Sequence, residues 1–90
     1  MTDQRVSIDP ATLFDNIEDR QVEFAGEASG ELYRFALRYD VVEAMIGAIP
    51  DGDAVQQVQR HLPRVEQLAA RALGRDYDRE LVLISEDDLD

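Results

Sequence analysis

Polar and apolar residues alternate over Glu31–Tyr39. Tyr33, Phe35, Leu37 and Tyr39 fall on one side and Leu32, Arg34, Ala36 and Arg38 on the other, the period-two pattern of a strand with one face on a core. Arg20–Ala25 repeats it, with Val22 and Phe24 set against Gln21, Glu23 and Ala25. The segment between them, Gly26–Gly30 (GEASG), offers two glycines for the positive-φ positions of a tight connection. Together they predict an antiparallel hairpin whose aromatic side meets the helices. Arg34 and Arg38 are expected on its wetter side, within reach of Glu23, at about 0.2–1 kcal/mol per cross-strand pair. Upstream, Val6 and Ile8 alternate with Arg5, Ser7 and Asp9 and predict a short first strand. Asp9-Pro10 then reads as a turn or a helix start, with Leu13, Phe14 and Ile17 as apolar anchors of the following connection.

The period changes after Tyr39. Asp40-Val41-Val42-Glu43 has the form of a capping box with Asp at the cap and predicts a short helix to about Ala48, burying part of Val42, Met45, Ile46 and Ile49. Pro50-Asp51-Gly52 breaks it, and Asp53-Ala54-Val55-Gln56 opens the next helix in the same way. There Val55, Val58, Leu62, Val65, Ala69 and Ala72 recur at spacings of three and four, widened by Leu68 and Leu73. Pro63 lies within this stretch and removes a backbone donor, at about 3 kcal/mol in a regular helix. A kink near Arg60–Leu62, or two helices meeting there, is therefore expected. Gly74 is the natural stop. Arg75–Glu80 reads as a polar connection holding Tyr77. Leu81–Ile84 is apolar throughout, which favours an interior strand, and residues 86–90 read as a mobile acidic tail.

These elements predict one α+β domain over residues 1–90, with a folded core at 6–84. An antiparallel sheet of three to four strands packs one face on two helices, the second long and kinked at Pro63, in the order β-β-β-α-α-β. The Leu81–Ile84 strand returns beside the hairpin. If Leu32 and Ala36 lie exposed on the outer side of the sheet with Leu81 or Leu83, they make an apolar patch that favours dimerisation.

Composition narrows the function classes. Ninety residues bury somewhat more than about 60% of the unfolded surface, enough for one core. No cysteine is present, so thiolate metal sites and disulfides are excluded and a reducing, cytoplasmic setting is expected. The opening MTDQRVSID lacks the basic and apolar regions of a secretory leader. No apolar run approaches the roughly 20 residues needed to span a bilayer.

The formal net charge is −11, from 20 acids and nine basic residues that are all arginine. A GC-rich genome or a halophilic source accounts for arginine without lysine. The charge is segregated. Residues 1–53 hold twelve acids and four arginines, a net of −8; 54–75 hold four arginines and Glu66, a net of +3; 76–90 hold seven acids and Arg79, a net of −6. Such a chain repels nucleic acid and anionic lipid over about one Debye length.

Few residues suggest chemistry. His61 is the one side chain that titrates near neutrality, but nothing in the sequence supplies the oriented partner a general base needs; it reads as a partly exposed helix residue. Asp51-Gly52-Asp53 lacks the alternating oxygen ligands and the glutamate of a calcium loop, position 62 being Leu; it reads as a turn and helix start. Asp87-Asp88-Leu89-Asp90 reads as solvated tail. Ser7, Ser29 and Ser85 have no G-x-S-x-G context. The Tyr33–Phe35–Leu37–Tyr39 stripe reads as core rather than a ligand pocket.

Arg60, Arg64, Arg71 and Arg75, spaced 4, 7 and 4, share one face of a continuous helix. That face either pairs with Glu66 and the acidic flanks, at a few tenths of a kcal/mol per pair, or docks an acidic partner or a nucleic-acid backbone. Nucleic acid is the poorer partner, since the field is repulsive and no base-stacking aromatics stand out.

With these residues in place, the chain resembles the family called domain of unknown function 1488, small uncharacterised bacterial proteins, over about Val6 to Ile84. The likeness rests on the order of several short features. These are the first strand, the aromatic-Asp pair Phe14-Asp15 (the aromatic being typically Trp in the family), and the strand Val22-Glu23-Phe24-Ala25. Gly30, the strand Leu32-Tyr33-Arg34-Phe35-Ala36-Leu37, the helix segment Arg64-Val65-Glu66-Gln67-Leu68-Ala69 and the closing Tyr77-Asp78 follow; Pro63 is a local departure. The resemblance implies an α+β fold with an antiparallel sheet against helices, and carries no activity, cofactor or catalytic residue. The sequence therefore leans away from an enzyme, with no cofactor and no metal expected. It points to a small acidic protein that acts through an unknown protein partner or by self-association. The rivals are nucleic-acid or acidic-partner binding on the arginine face and a pocket between the sheet and the kinked helix that binds a small acid or performs simple acid–base chemistry.

Overall fold

The computed structural model describes residues 5–76 and 80–89. Five strands and three α-helices follow in the order β1 (Ser7–Ile8), β2 (Phe14–Asn16), β3 (Gln21–Ala28), β4 (Glu31–Arg38), α1 (Tyr39–Ile46), α2 (Ala54–Arg60), α3 (Leu62–Asp76) and β5 (Leu81–Ile84). The architecture is α+β, with a mostly antiparallel sheet in the order β1-β3-β4-β5 and β2 paired to β3 beside β1. The α-carbon radius of gyration is 12.0 Å.

The hairpin forms from Gln21 to Arg38 with Phe24 opposite Phe35. Their rings stack at 5.4 Å, a pair worth about 0.5–1.5 kcal/mol beyond area burial. Its turn is tighter than the sequence suggests. Ala28 pairs with Glu31, leaving Ser29 and Gly30 as the two turn residues, both at positive φ (54° and 80°), as a twisted two-residue hairpin requires. Gly26 is not a turn residue. It lies in β3 opposite Ile8, where a Cβ would stand 2.7 Å from Val6 Cγ1 and 3.2 Å from Phe35 Cε2. Its lack of a side chain is what lets β1 close on the core.

β1 and β2 share one side of β3. Between them the Thr12 hydroxyl accepts the Ala25 N–H at 2.9 Å, and the Asp9 N–H reaches the Ala25 carbonyl at 3.1 Å. Asp9-Pro10 starts a one-turn 3-10 helix, Pro10–Thr12. Leu13 packs against the core, but Phe14 and Ile17 are not anchors: they are 59% and 68% exposed.

Helix α1 begins two residues earlier than the capping pattern predicts. Arg38 is its cap and Asp40 falls in the first turn without a capping hydrogen bond, where its charge still suits the helix dipole. Gly47, at φ 87°, ends it. The long apolar stripe is two helices. α2 stops at Arg60, His61 leaves helical geometry (φ −116°, ψ 28°), and α3 restarts at Leu62. Pro63 thus falls in a first turn, where its missing N–H costs nothing.

Three helices between β4 and β5 give the chain the long crossover a parallel pair needs, and β5 runs parallel to β4, with Phe35 opposite Val82. The expected antiparallel return is replaced for that reason. β5 is also an edge strand rather than an interior one: Val82 and Ile84 are buried, while Leu83 is 41% exposed. Val22, Phe24, Phe35, Leu37, Val58, Val65, Leu68, Leu73, Val82 and Ile84 join one buried cluster between the sheet's inner face and the helices.

The C-terminal acids are not a free tail. Glu86–Asp88 form a 3-10 turn, Asp88 is only 4% exposed, and Leu89 packs on the core, so the fold extends past Ile84 to Leu89. Tyr77, Asp78 and Asp90 lie outside the described residues, as do Met1–Gln4 of the opening segment. Among the described residues no helix is long and apolar enough to cross a membrane.

Candidate functional site

The break at His61 divides the arginines. Arg60 ends α2, whereas Arg64, Arg71 and Arg75 belong to α3, so the four do not share one helical face. Arg64 donates to the Gln67 side chain at 3.3 Å. Arg71 donates to the Asp88 carbonyl at 2.9 Å. Arg75 Nη1 meets Asp88 Oδ1 at 2.7 Å, and its Nη2 donates to the Leu83 carbonyl at 3.0 Å. The other Asp88 oxygen accepts the Ser85 N–H at 3.0 Å. Two of the four candidate docking residues therefore hold the chain's own C-terminal acid, a charge-assisted contact stronger than a surface pair. Glu66, expected to pair with the arginines, instead accepts the Ile8 N–H of β1 at 2.9 Å.

His61 is half-buried, and its Nδ1 lies 3.0 Å from the Gln57 carbonyl. A carbonyl only accepts, so Nδ1 carries the proton and the imidazole serves the helix break. Asp53 precedes α2 as expected, but its side chain bonds Gln57 Nε2 at 2.9 Å and the Asp51 N–H at 3.0 Å. Those contacts, Gln57 foremost, hold its carboxyl below the usual range. The Asp53 carboxylate of the Asp51-Gly52-Asp53 turn is thus accounted for by local structure.

Concavities flank the fold among the described residues. A cleft of about 170 Å³ is bordered by Arg20, Arg38, Tyr39, Asp40, Glu43 and Ile49. Tyr39 donates its hydroxyl to Asp15 beneath the Arg20 guanidinium, which lies 6.0 Å from the ring. Burial, then the bond and charge of Asp15, push the Tyr39 phenol up to about 12, so it remains neutral and acts as a donor tying β2 to the start of α1. A wider groove of about 630 Å³, lined by Arg5, Val6, Pro63, Glu66 and others, opens between the start of β1 and α3. His61 borders neither.

The outer face of the sheet is the surface that packing leaves open. Register sets its rows: Phe14, Glu23, Ala36 and Leu83 lie across it in one line, and Ala25, Arg34 and Leu81 in the next. Leu32 is 73% exposed, and Phe14 and Leu83 join it as large apolar side chains in solvent. Ala36, expected in an outer patch, is fully covered. Between the apolar groups runs a polar network. Glu23 accepts from Asn16 Nδ2 at 2.8 Å and Gln21 Nε2 at 2.9 Å, and Arg34 lies 3.6 Å away, the cross-hairpin pair expected from the sequence. Arg38 turns instead to Asp40 at 3.8 Å. The Asn16 and Gln21 bonds, with Arg34 adding, lower the Glu23 pKa and keep it charged. The ionic groups that β3 and β4 direct outward are Glu23, Glu27, Arg34 and Arg38. These two acids and two arginines offset one another in number, while Asp19 joins the network through Asn16 at 3.0 Å and Asp40 takes Arg38, on a chain of net charge −11.

Sequence reasoning takes Phe14 for an apolar anchor rather than a surface residue, because three residues of β2 are too few to show a period. It missed Asp88 and Glu66 because their partners are 13 or more residues away.

No family profile matches the sequence, and no curated protein matches it. In structure the chain is similar to a protein of unknown function from the DUF1488 family of Shewanella loihica PV-4, solved at 1.60 Å. The TM-score is 0.73 at 10% identity, over 93% of this chain and 96% of the other. At that identity the likeness speaks for the fold. The chain therefore has, over nearly its whole length, the fold of a DUF1488 protein, the family its sequence resembles.

Proposed function

We propose that the chain is a small, non-enzymatic cytoplasmic module that works by protein contact, and that its contact surface is the outer face of the sheet, which receives a second copy of the same chain. The observation that carries this reading is the coincidence of exposed Phe14, Leu32 and Leu83 with arginines that offset part of the local acid. A molecule of net charge −11 repels its own kind across most of its surface. Where Arg34 lies 3.6 Å from Glu23 and Arg38 3.8 Å from Asp40, part of the acid is offset, so two copies approach there at a smaller penalty, which salt lowers further over a Debye length of about 8 Å. Apolar side chains rimmed by polar ones are the usual composition of such an interface.

Sedimentation velocity over a concentration series tests it. The chain should form a reversible dimer that strengthens with added salt as the overall repulsion is screened. Leu32→Asp should remain monomeric with an unchanged melting temperature. A wild-type chain that stays monomeric at the highest concentrations would overturn the reading.

A further inference from the structure

Helix α3 crosses the inner side of the sheet and carries an acid toward one end and a base at the other. At the β1 edge, Glu66 Oε2 accepts the Ile8 N–H at 2.9 Å. The next N–H along, that of Asp9, bonds the Ala25 carbonyl on β3, so the alternate N–H of Ile8 faces away from the sheet. At the β5 edge, Arg75 Nη2 donates to the Leu83 carbonyl at 3.0 Å, while Nη1 is braced by the buried Asp88.

The lengths agree. Glu66 and Arg75, nine positions apart, are separated by about 13.5 Å along a helix. The path β1-β3-β4-β5 covers three strand spacings, about 14 Å. One helix of this length reaches both margins, and the signs are correct at each: a carboxylate on the Ile8 N–H, a guanidinium on the Leu83 C=O.

Unpaired edge groups are a template for strand addition by another chain. The hazard here is specific. β5 is Leu81-Val82-Leu83-Ile84, four apolar residues without charge, and β4 covers it on one side. We infer that Glu66 and Arg75 are a pair of edge guards that close both margins of the sheet to strand pairing with a second copy. Association is thereby confined to faces, which close as a dimer, instead of edges, which propagate. The inference stands apart from the outer-face reading, since guarding is measured at Ile8 and Leu83 and face contact at Phe14 and Leu32.

The experiment uses Glu66→Leu, Glu66→Gln, and Arg75→Leu combined with Asp88→Asn, so that no buried carboxylate is left without its cation. Each is made in a Leu32→Asp background that removes outer-face contact. Glu66→Leu should speed amide exchange at Ile8 by about tenfold or more, the scale of one charge-assisted hydrogen bond, with Val22 and Phe35 unchanged. It should also produce species larger than a monomer by sedimentation, as should the Arg75→Leu pair. Glu66→Gln, which keeps an acceptor for the Ile8 N–H, should stay monomeric. Unchanged Ile8 exchange, or monomers throughout the leucine variants, would overturn the inference. If a leucine variant fails to fold, the wild-type chain decides: an Ile8 amide exchanging at the free-peptide rate refutes the guard, and clear protection there supports it.

Discussion

The two faces of the sheet are built from the same strands and differ in almost every physical respect. On the inner side Val22, Phe24, Phe35, Leu37, Val82 and Ile84 are sealed against the helices. On the outer side Leu32 is left in water, and Glu23 sits in a web of Asn16, Gln21 and Arg34. The inner face holds the fold together by apolar burial, about 1.5–3 kcal/mol for each large side chain. The outer face contributes little to stability and is free to serve contact. Function in this chain is therefore sought where stability is not at stake.

Truncation should separate the faces most sharply. Leu68→Ala removes a fully buried side chain and should cost about 2–5 kcal/mol, whereas Leu32→Ala should stay within about 0.5 kcal/mol. Urea denaturation midpoints compare the two directly, and equal losses would erase the distinction. Next in size is Gly26→Ala. Its Cβ would press on Val6 and Phe35, an overpacking cost of about 1–3 kcal/mol, with amide protection lost first in β1.

Tyr39→Phe should cost less, about 1 kcal/mol, since it removes one hydrogen bond and leaves the half-buried Asp15 without it. The folded chain keeps this phenol protonated to about 12, against about 10 when unfolded. Its contribution is thus present below pH 10 and lost as pH climbs toward 12. The substitution should flatten that alkaline fall in stability and remove one high-pH step from the tyrosinate absorbance titration.

How much of this was legible follows from which forces are local. Alternation exposed β3 and β4 because burial of every second residue is written in the sequence itself. The α2–α3 break was legible because Pro63 cannot donate a hydrogen bond. The parallel edge position of β5 was not, since an apolar run of four carries no record of its neighbours. Asp40 read as a cap because the pattern matched, but β4 ended a residue sooner and moved the cap to Arg38. Of the candidate site, Leu32 and Leu83 were visible as conditional members of an outer patch. Ala36 was misjudged, and the arginine stripe dissolved once the helix divided and Asp88 folded back on Arg71 and Arg75. Those outcomes depend on tertiary closure, which no spacing encodes.

The central claim, that the outer face of the sheet meets a second copy, is tested most directly by methyl and aromatic NMR shifts followed over a dilution series. The account predicts shifts that grow with concentration at Phe14, Leu32 and Leu83 and stay flat at Leu37, Val58 and Leu68. Spectra that do not change with concentration, or changes centred on the helices, would contradict it.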